Sequence, residues 1–284
     1  MLKPVLVTGA SSGIGAAISE KLAASGFRVY AAARRADKLD VVAAHASGRI
    51  TPLVMDVTDA GSIDRALENI ADDGSTLFGL VNNAGLSVTG PLESTDTNEW
   101  RRLYETNVFG VVELTKAVLP QMRGVSAGRI INIGSIAGRI ATPFFSPYAS
   151  SKHALEGLSD SLRREVAPFG IDVSLVRPGF IRTDFGDQEQ AALEPHTKDG
   201  LPYAAAVKAF KSWHAKGHPN APRPSVVADC VHHALTVTHP KARYTAPLKY
   251  APQLFLRNFA PVGLTDALIA RITGISAAQK RSRG

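Results

Sequence analysis

Thr8-Gly9-Ala10-Ser11-Ser12-Gly13-Ile14-Gly15 joins a short apolar run, PVLVT at residues 4–8, to a stretch whose apolar residues recur at helical spacing: Ile14, Ala17, Ile18 and Leu22. A strand that enters a helix through glycines makes a sharp turn. The helix start then presents unpaired N–H groups and a partial positive charge to whatever lies before it. Gly9, Gly13 and Gly15 let the main chain approach a pyrophosphate closely, and Ser11 and Ser12 add hydroxyl donors. The spacing is GxxxGxG rather than GxGxxG. A turn of this kind also serves as a plain strand–helix connection, so its meaning depends on its surroundings.

Outward from the turn, residues 27–33, 50–55, 77–82, 128–134 and 171–177 are near-continuous apolar runs that read as strands. Helical periodicity over 60–71, 100–122 and 148–167 separates several of them. Strands alternating with helices predict an α/β fold, a doubly wound parallel sheet of the Rossmann type in three layers. Apolar runs without alternation agree with strands buried on both faces. Residues 186–224, with several Pro, Gly and His, read as a helical lid. A helix at 226–237 and a strand at 243–246 close the sheet. One domain over 1–250 is predicted, followed by an amphipathic extension, 251–284, with Leu264, Leu268, Ile272 and Ile275 at helical spacing.

The chain has 284 residues and one cysteine, so no internal disulfide can form and a reducing cytoplasm suits it. Met1 leads almost directly into the first strand, which predicts no secretory leader. No apolar run reaches the roughly 18 residues of a membrane span. The net charge of +7 is uneven: residues 1–195 carry −3, and residues 196–284 carry +10. No metal-spaced Cys/His cluster, aromatic RNA-binding motif or basic heptad helix accompanies it, which argues against nucleic acid and against a metal. The basic C-terminal third fits contact with anionic lipid or an anionic substrate carrier, and equally fits plain solubility.

The second predicted strand ends in Ala33-Arg34-Arg35. In a dinucleotide fold an acidic residue here would bind the ribose 2′-hydroxyl, whereas arginine binds a 2′-phosphate. Arg34 and Arg35 therefore predict NADP(H) over NAD.

TGASSGIG (8–15), Asp56-Val57, NNAG (82–85), Asn107, Ser135, Tyr148-xxx-Lys152 and Pro178-Gly179 together resemble the short-chain dehydrogenases/reductases, in that family's order and spacing over residues 3–185. The tail beyond Lys249 is similar to the hydroxysteroid and retinol dehydrogenase-like branch. The resemblance implies that Asp56 and Val57 hold the adenine. It implies that Asn83, Ala84 and Gly85 line the cofactor ribose, and that Pro178, Gly179, Ile181 and Thr183 lie along the nicotinamide end. It further implies that Lys152 bonds the nicotinamide ribose, that Asn107 holds a relay water, and that the chain forms a homodimer or homotetramer.

The chemistry can also be read from the residues. Tyr148 and Lys152, four apart on a helix, share a face. A free phenol, with a pKa of about 10, is a poor base near neutrality, and a neighbouring ammonium favours its ionised form. Ser135 can donate to the substrate oxygen as an oxyanion donor does. Residues 138–147 (GRIATPFFSP), between Ser135 and Tyr148, should form an apolar wall, joined by Phe185, Tyr203, Phe210 and Trp213 of the lid. Such a pocket suits a lipophilic carbonyl or secondary alcohol. The competing expectations are a 3-oxoacyl-carrier-protein reductase, whose acidic carrier would meet the basic surface, and a sensor or scaffold that binds NADP(H) without turnover. His232-His233 does not share a helical face and is no metal pair.

Overall fold

The computed structural model describes residues 2–44, 48–217 and 220–276. The first half runs β1 (Pro4–Thr8), α1 (Gly13–Ala24), β2 (Arg28–Ala33), α2 (Ala36–Ala44), β3 (Ile50–Val54), α3 (Ala60–Asp72) and β4 (Gly79–Asn82). There follow α4 (Thr97–Tyr104), α5 (Gly110–Gly124), β5 (Gly128–Ile133), α6 (Ser146–Val166) and β6 (Ile171–Pro178). The segment expected as a lid contains α7 (Asp184–Leu193) and α8 (Ala204–Gly217). After it come α9 (Ser225–Thr236), β7 (Arg243–Ala246), α10 (Ala251–Arg257) and α11 (Val262–Ile272).

The seven strands form one sheet in the order β3-β2-β1-β4-β5-β6-β7, and every pairing is parallel. Successive side chains of a strand point to opposite faces. Thus Val5 and Val7 pack with Ile18, Leu22, Leu39 and Val231 on the side of α1, α2 and α9. Leu6 packs with Ile63, Leu114 and Leu162 on the side of α3, α5 and α6. Both faces are dry, which is why the strands are continuous apolar runs. A third cluster, Phe145, Leu193, Val207, Phe210 and Ile275, belongs to the lid.

Two elements differ from the sequence reading. Helix α2 went unread between the second and third strands; it buries only Leu39 and Val42, too few to show a periodicity. The single helix expected over 100–122 is broken into α4 and α5 by a π-helical turn, Glu105–Phe109, with Asn107 buried within it. Such turns displace the backbone register locally and recur at functional sites.

The chain reverses between β1 and β4, the neighbouring central strands whose crossovers lead to opposite sides, and this is where an open α/β sheet has its ligand crevice. The glycine turn sits there. Its glycines are required by contact: a Cβ on Gly15 would lie 2.2 Å from the Gly9 carbonyl oxygen, and one on Gly9 would lie 2.9 Å from Ala84 Cα. Gly9 and Gly13 also have φ of 64° and 56°, which a side chain would strain. Gly15→Ala is therefore expected to lower stability by about 2–4 kcal/mol, measured as a fall in the urea midpoint. An unchanged midpoint would show that the turn is looser than its contacts indicate.

Candidate active site

Helix α6 presents Tyr148 and Lys152 from its first turns. Pro147 near its start suits the helix, because the missing N–H is one that would have no intrahelical partner. Lys152 is buried, and its Nζ lies 5.7 Å from the Tyr148 ring centroid while donating to the Ile133 carbonyl at 2.9 Å. Ser135 follows β5 and heads the short turn Ile136–Gly138, where its Oγ accepts from Ala137 N at 3.1 Å. That leaves the hydroxyl hydrogen free to donate toward the Tyr148 oxygen, an interaction that favours the phenolate. The local backbone role and the donor role of Ser135 thus coexist. Gly138 keeps the two segments together, because a Cβ there would lie 2.8 Å from the Lys152 carbonyl oxygen.

Electrostatics push both ionisable groups toward neutrality. Burial lowers the Lys152 ammonium to about 8, since a charge in a dry site with one carbonyl partner is costly. Burial also raises the Tyr148 phenol above its ordinary range, and the Glu189 carboxylate raises it further against the smaller help of Ser135. In the protein by itself the phenol therefore stays protonated. Glu189 was not foreseen from the sequence. It is buried in α7, 3.1 Å from His214 Nε2 of α8, behind the aromatic wall.

Asn107 is fully buried within the π-turn. Its amide donates to the Leu86 carbonyl at 2.9 Å and to Ser151 Oγ at 3.1 Å, and its Oδ1 accepts from Leu86 N at 2.9 Å. Both amide hydrogens are committed to protein. Gly85 lies beside the pair: a Cβ there would be 3.2 Å from Asn107 Oδ1 and 3.8 Å from Lys152 Nζ.

The residues expected to hold the cofactor are placed as follows. Arg35 donates to Ser11 Oγ at 3.3 Å, and Arg34, with its side chain 74% exposed, stands 4.0 Å from Asp56. Together they frame the opening beside the glycine turn. The Ser12 hydroxyl makes no cap bond and is exposed. Thr183 meets the other side of the turn, within 3.2 Å of the position a Cβ on Gly13 would take. Asn83 faces inward: its Nδ2 donates to the Thr8 carbonyl at 2.9 Å, and its N–H and that of Ala84 both donate to Thr8 Oγ1. Val57 and Ile181 are core residues, so any contact with a ligand comes mainly from their backbones. Gly179 is a glycine because of Tyr250, whose ring lies 2.1 Å from where its Cβ would be.

Aromatic rings gather around Tyr148. The Phe145 and Phe185 ring centroids lie 6.3 and 5.9 Å from that of Tyr148, and Phe144 and Phe145 meet Phe210 of the lid at 5.6 and 5.5 Å. Phe144 holds its place at a φ of 65°, unusual for a bulky residue. A latch ties the lid to the loop after β4: Tyr203 donates to Glu93 at 2.7 Å, and Thr89 Oγ1 donates to the Glu189 carbonyl at 3.2 Å. Among the described residues no cluster of metal-ligating side chains is present. His233 Nδ1 instead pairs with the Tyr244 hydroxyl at 3.0 Å.

The Lys152 shift carries a stability consequence. Its folded value, about 8, lies below its ordinary 10.5. At neutral pH the folded protein therefore bears the burial cost of the ammonium, and stability rises from about pH 8 to about 10.5, where only the unfolded chain stays protonated. Lys152→Met is expected to raise stability at pH 7 by about 2–3 kcal/mol and to flatten that rise. Urea unfolding across the pH range checks both. A variant less stable than the parent at pH 7 would show that the ammonium is well solvated in the fold.

The short chain dehydrogenase family profile matches residues 3–194. The uncharacterized oxidoreductase YusZ of Bacillus subtilis is 36% identical over 278 residues, covering 95% of this chain and 98% of that protein. The NADPH-dependent 3-dehydrocapnine reductase of Ornithobacterium rhinotracheale is 34% identical over 95% of this chain and 96% of its own. Human retinol dehydrogenase 16 is 32% identical over 94% and 87%. The crystal structure of a short-chain dehydrogenase from Streptomyces avermitilis superposes with a TM-score of 0.77 at 34% identity, covering 100% of this chain and 98% of that one. Structures of similar fold hold NAD in one case, at a TM-score of 0.78 and 24% identity, and NADP+ in another, at 0.75 and 26%. The glycine turn at the strand reversal, the buried Tyr148–Lys152 pair and these matches place the chain in the short-chain dehydrogenase/reductase family, nicotinamide-dependent oxidoreductases acting on CH–OH groups, in its hydroxysteroid and retinol dehydrogenase-like branch.

Proposed function

We propose that the protein is an NADP(H)-dependent reductase or dehydrogenase of lipophilic carbonyls and secondary alcohols. The observation that carries this reading is the convergence of Ser135, Tyr148 and Lys152 beneath an aromatic wall. A bound nicotinamide supplies or accepts the hydride. In reduction, Tyr148 gives its phenolic proton to the substrate oxygen as charge develops there, and Ser135 donates a second hydrogen bond to that oxygen. The raised phenol suits this acid role. Lys152, as the ammonium below about pH 8, stabilises the phenolate left behind. Asn107 acts as a positioning residue: by fixing Leu86 and Ser151 it holds the strand end and helix α6 in register.

Phe144, Phe145, Phe185 and Phe210 exclude water and offer apolar contact, which supports a lipophilic substrate. The NADPH dependence named for the 3-dehydrocapnine reductase supports the cofactor choice, and so does the placement of Arg34, exposed and without an acidic residue in its position.

Tyr148→Phe is expected to lower ketone-dependent NADPH oxidation by about 10²–10⁴-fold, with NADPH affinity, read by tryptophan fluorescence, essentially kept. Activity near that of the parent would remove Tyr148 from the chemistry. Arg34→Asp is expected to weaken NADPH by about 10–100-fold, the loss of one charged hydrogen-bonding contact, and to narrow the gap to NADH. Unchanged NADPH affinity in isothermal titration would refute the arginine assignment.

A further inference from the structure

We propose that α10 and α11 form a strap that docks on an anionic lipid bilayer at the rim of the substrate crevice, so that an apolar substrate enters from the bilayer. The delivery half rests on the lipophilic-substrate reading; the docking half does not. Phe255 and Phe259 are 64% and 73% exposed with ring centroids 5.1 Å apart, and Leu256 beside them is exposed too. On α11, Leu264, Leu268 and Ile272 recur every four residues, so they form one stripe. Each is more than half exposed, and α11 buries none of its residues. A helix kept out of the core with its apolar stripe uncovered lacks the tertiary packing that ordinarily stabilises an amphipathic helix. An apolar patch of this extent marks an interaction surface.

The strap is fixed to the crevice at both ends. Tyr250 packs on Gly179 and hydrogen-bonds to the Phe180 backbone, and Arg139, in the pocket wall, donates to Asn258 Oδ1 at 2.6 Å. At the far end Ile275 is buried in the lid cluster with Phe145 and Phe210. The strap's attachments therefore reach the aromatic cluster that packs beside Tyr148.

Charge selects the occupant. Lys249, Arg257 and Arg271 stand on the strap against the single acid Asp266, and the sequence beyond 276 adds Lys280, Arg281 and Arg283 without an acid. A second copy would bring two such positive straps face to face, whereas an anionic bilayer neutralises them while burying the phenylalanines and leucines. Among the described residues no helix is long and apolar enough to cross a membrane, so the strap lies in the interfacial plane.

The test is flotation of the full chain with phosphatidylcholine vesicles, with and without about 30% phosphatidylglycerol. The comparison is between the parent and the double variant Phe255→Glu/Phe259→Glu. The expected result is at least about tenfold stronger binding to the anionic vesicles, lost with added salt and reduced about tenfold or more in the variant. NADPH affinity and turnover of a short, water-soluble ketone should stay at parental levels in the variant. Equal binding of parent and variant, or equal binding to both vesicle types, overturns the proposal. So does a concentration-dependent dimer in sedimentation, abolished by the same substitutions, without vesicle binding. If the parent turned over no ketone yet bound anionic vesicles as described, the catalytic reading would fail and the docking surface would stand.

Discussion

The crevice depends on how closely the ends of β1 and β4 can be brought together. Thr8 Oγ1 accepts N–H bonds from both Asn83 and Ala84, at 3.0 and 2.9 Å, and the Asn83 amide donates as well to the Thr8 carbonyl. This threefold acceptance by Thr8 ties the two strands where their connections diverge. It requires glycine at 9 and 15, since neither position has room for a methyl group. The start of α1, with its free N–H groups, is thereby aimed into the opening. Asn107 repeats the device one layer away, bonding the Leu86 backbone on one side and Ser151 of α6 on the other. Glycine turn, β4 loop and helix α6 are linked through these two asparagines.

On that frame the fold holds two ionisable groups that burial drives toward their neutral forms. A low-dielectric site disfavours both ammonium and phenolate, yet it also strengthens every interaction between charges. Lys152 tolerates burial with one carbonyl partner, and Tyr148 is kept protonated by burial and by Glu189. An ammonium that loses its proton near pH 8 stands beside a phenol that holds its own. Positive charge brought into the crevice would favour the phenolate. Under the proposed chemistry, stability forgone at Lys152 is thus coupled to reactivity at Tyr148.

Much of this was legible in the sequence because each signal is local. A strand buried on both faces is a continuous apolar run, a glycine turn announces itself, and Tyr148 and Lys152 are one helical turn apart. What the sequence hid depends on contacts distant along the chain. Nothing near Asn83 shows that its amide turns inward to Thr8. Nothing near Gly179 shows that Tyr250, 71 residues on, packs against it. Glu189 and His214 look like lid polarity, and only packing α7 on α8 buries them as a pair. The π-turn at Asn107 escaped because the apolar spacing continues through it, with Leu103, Val111 and Leu114 all buried.

The dependence of Gly179 on Tyr250 also changes how the C-terminal region relates to catalysis. A tail that merely followed a finished domain would leave no mark on it, yet the backbone just beyond β6 has given up a side chain to admit this ring. Arg139 and Ile275 make the same point from the pocket wall and the lid. Between these attachments Leu254 is buried, but Phe255, Leu256, Phe259, Leu264, Leu268 and Ile272 stay in solvent. Burying an exposed phenylalanine is worth about 1.5–3 kcal/mol, so a sequence that sought only a packed tail would gain by folding the strap down. Its basic charge and apolar exposure are reconciled when the surface meets something both anionic and apolar, and of the occupants weighed above only a bilayer is both.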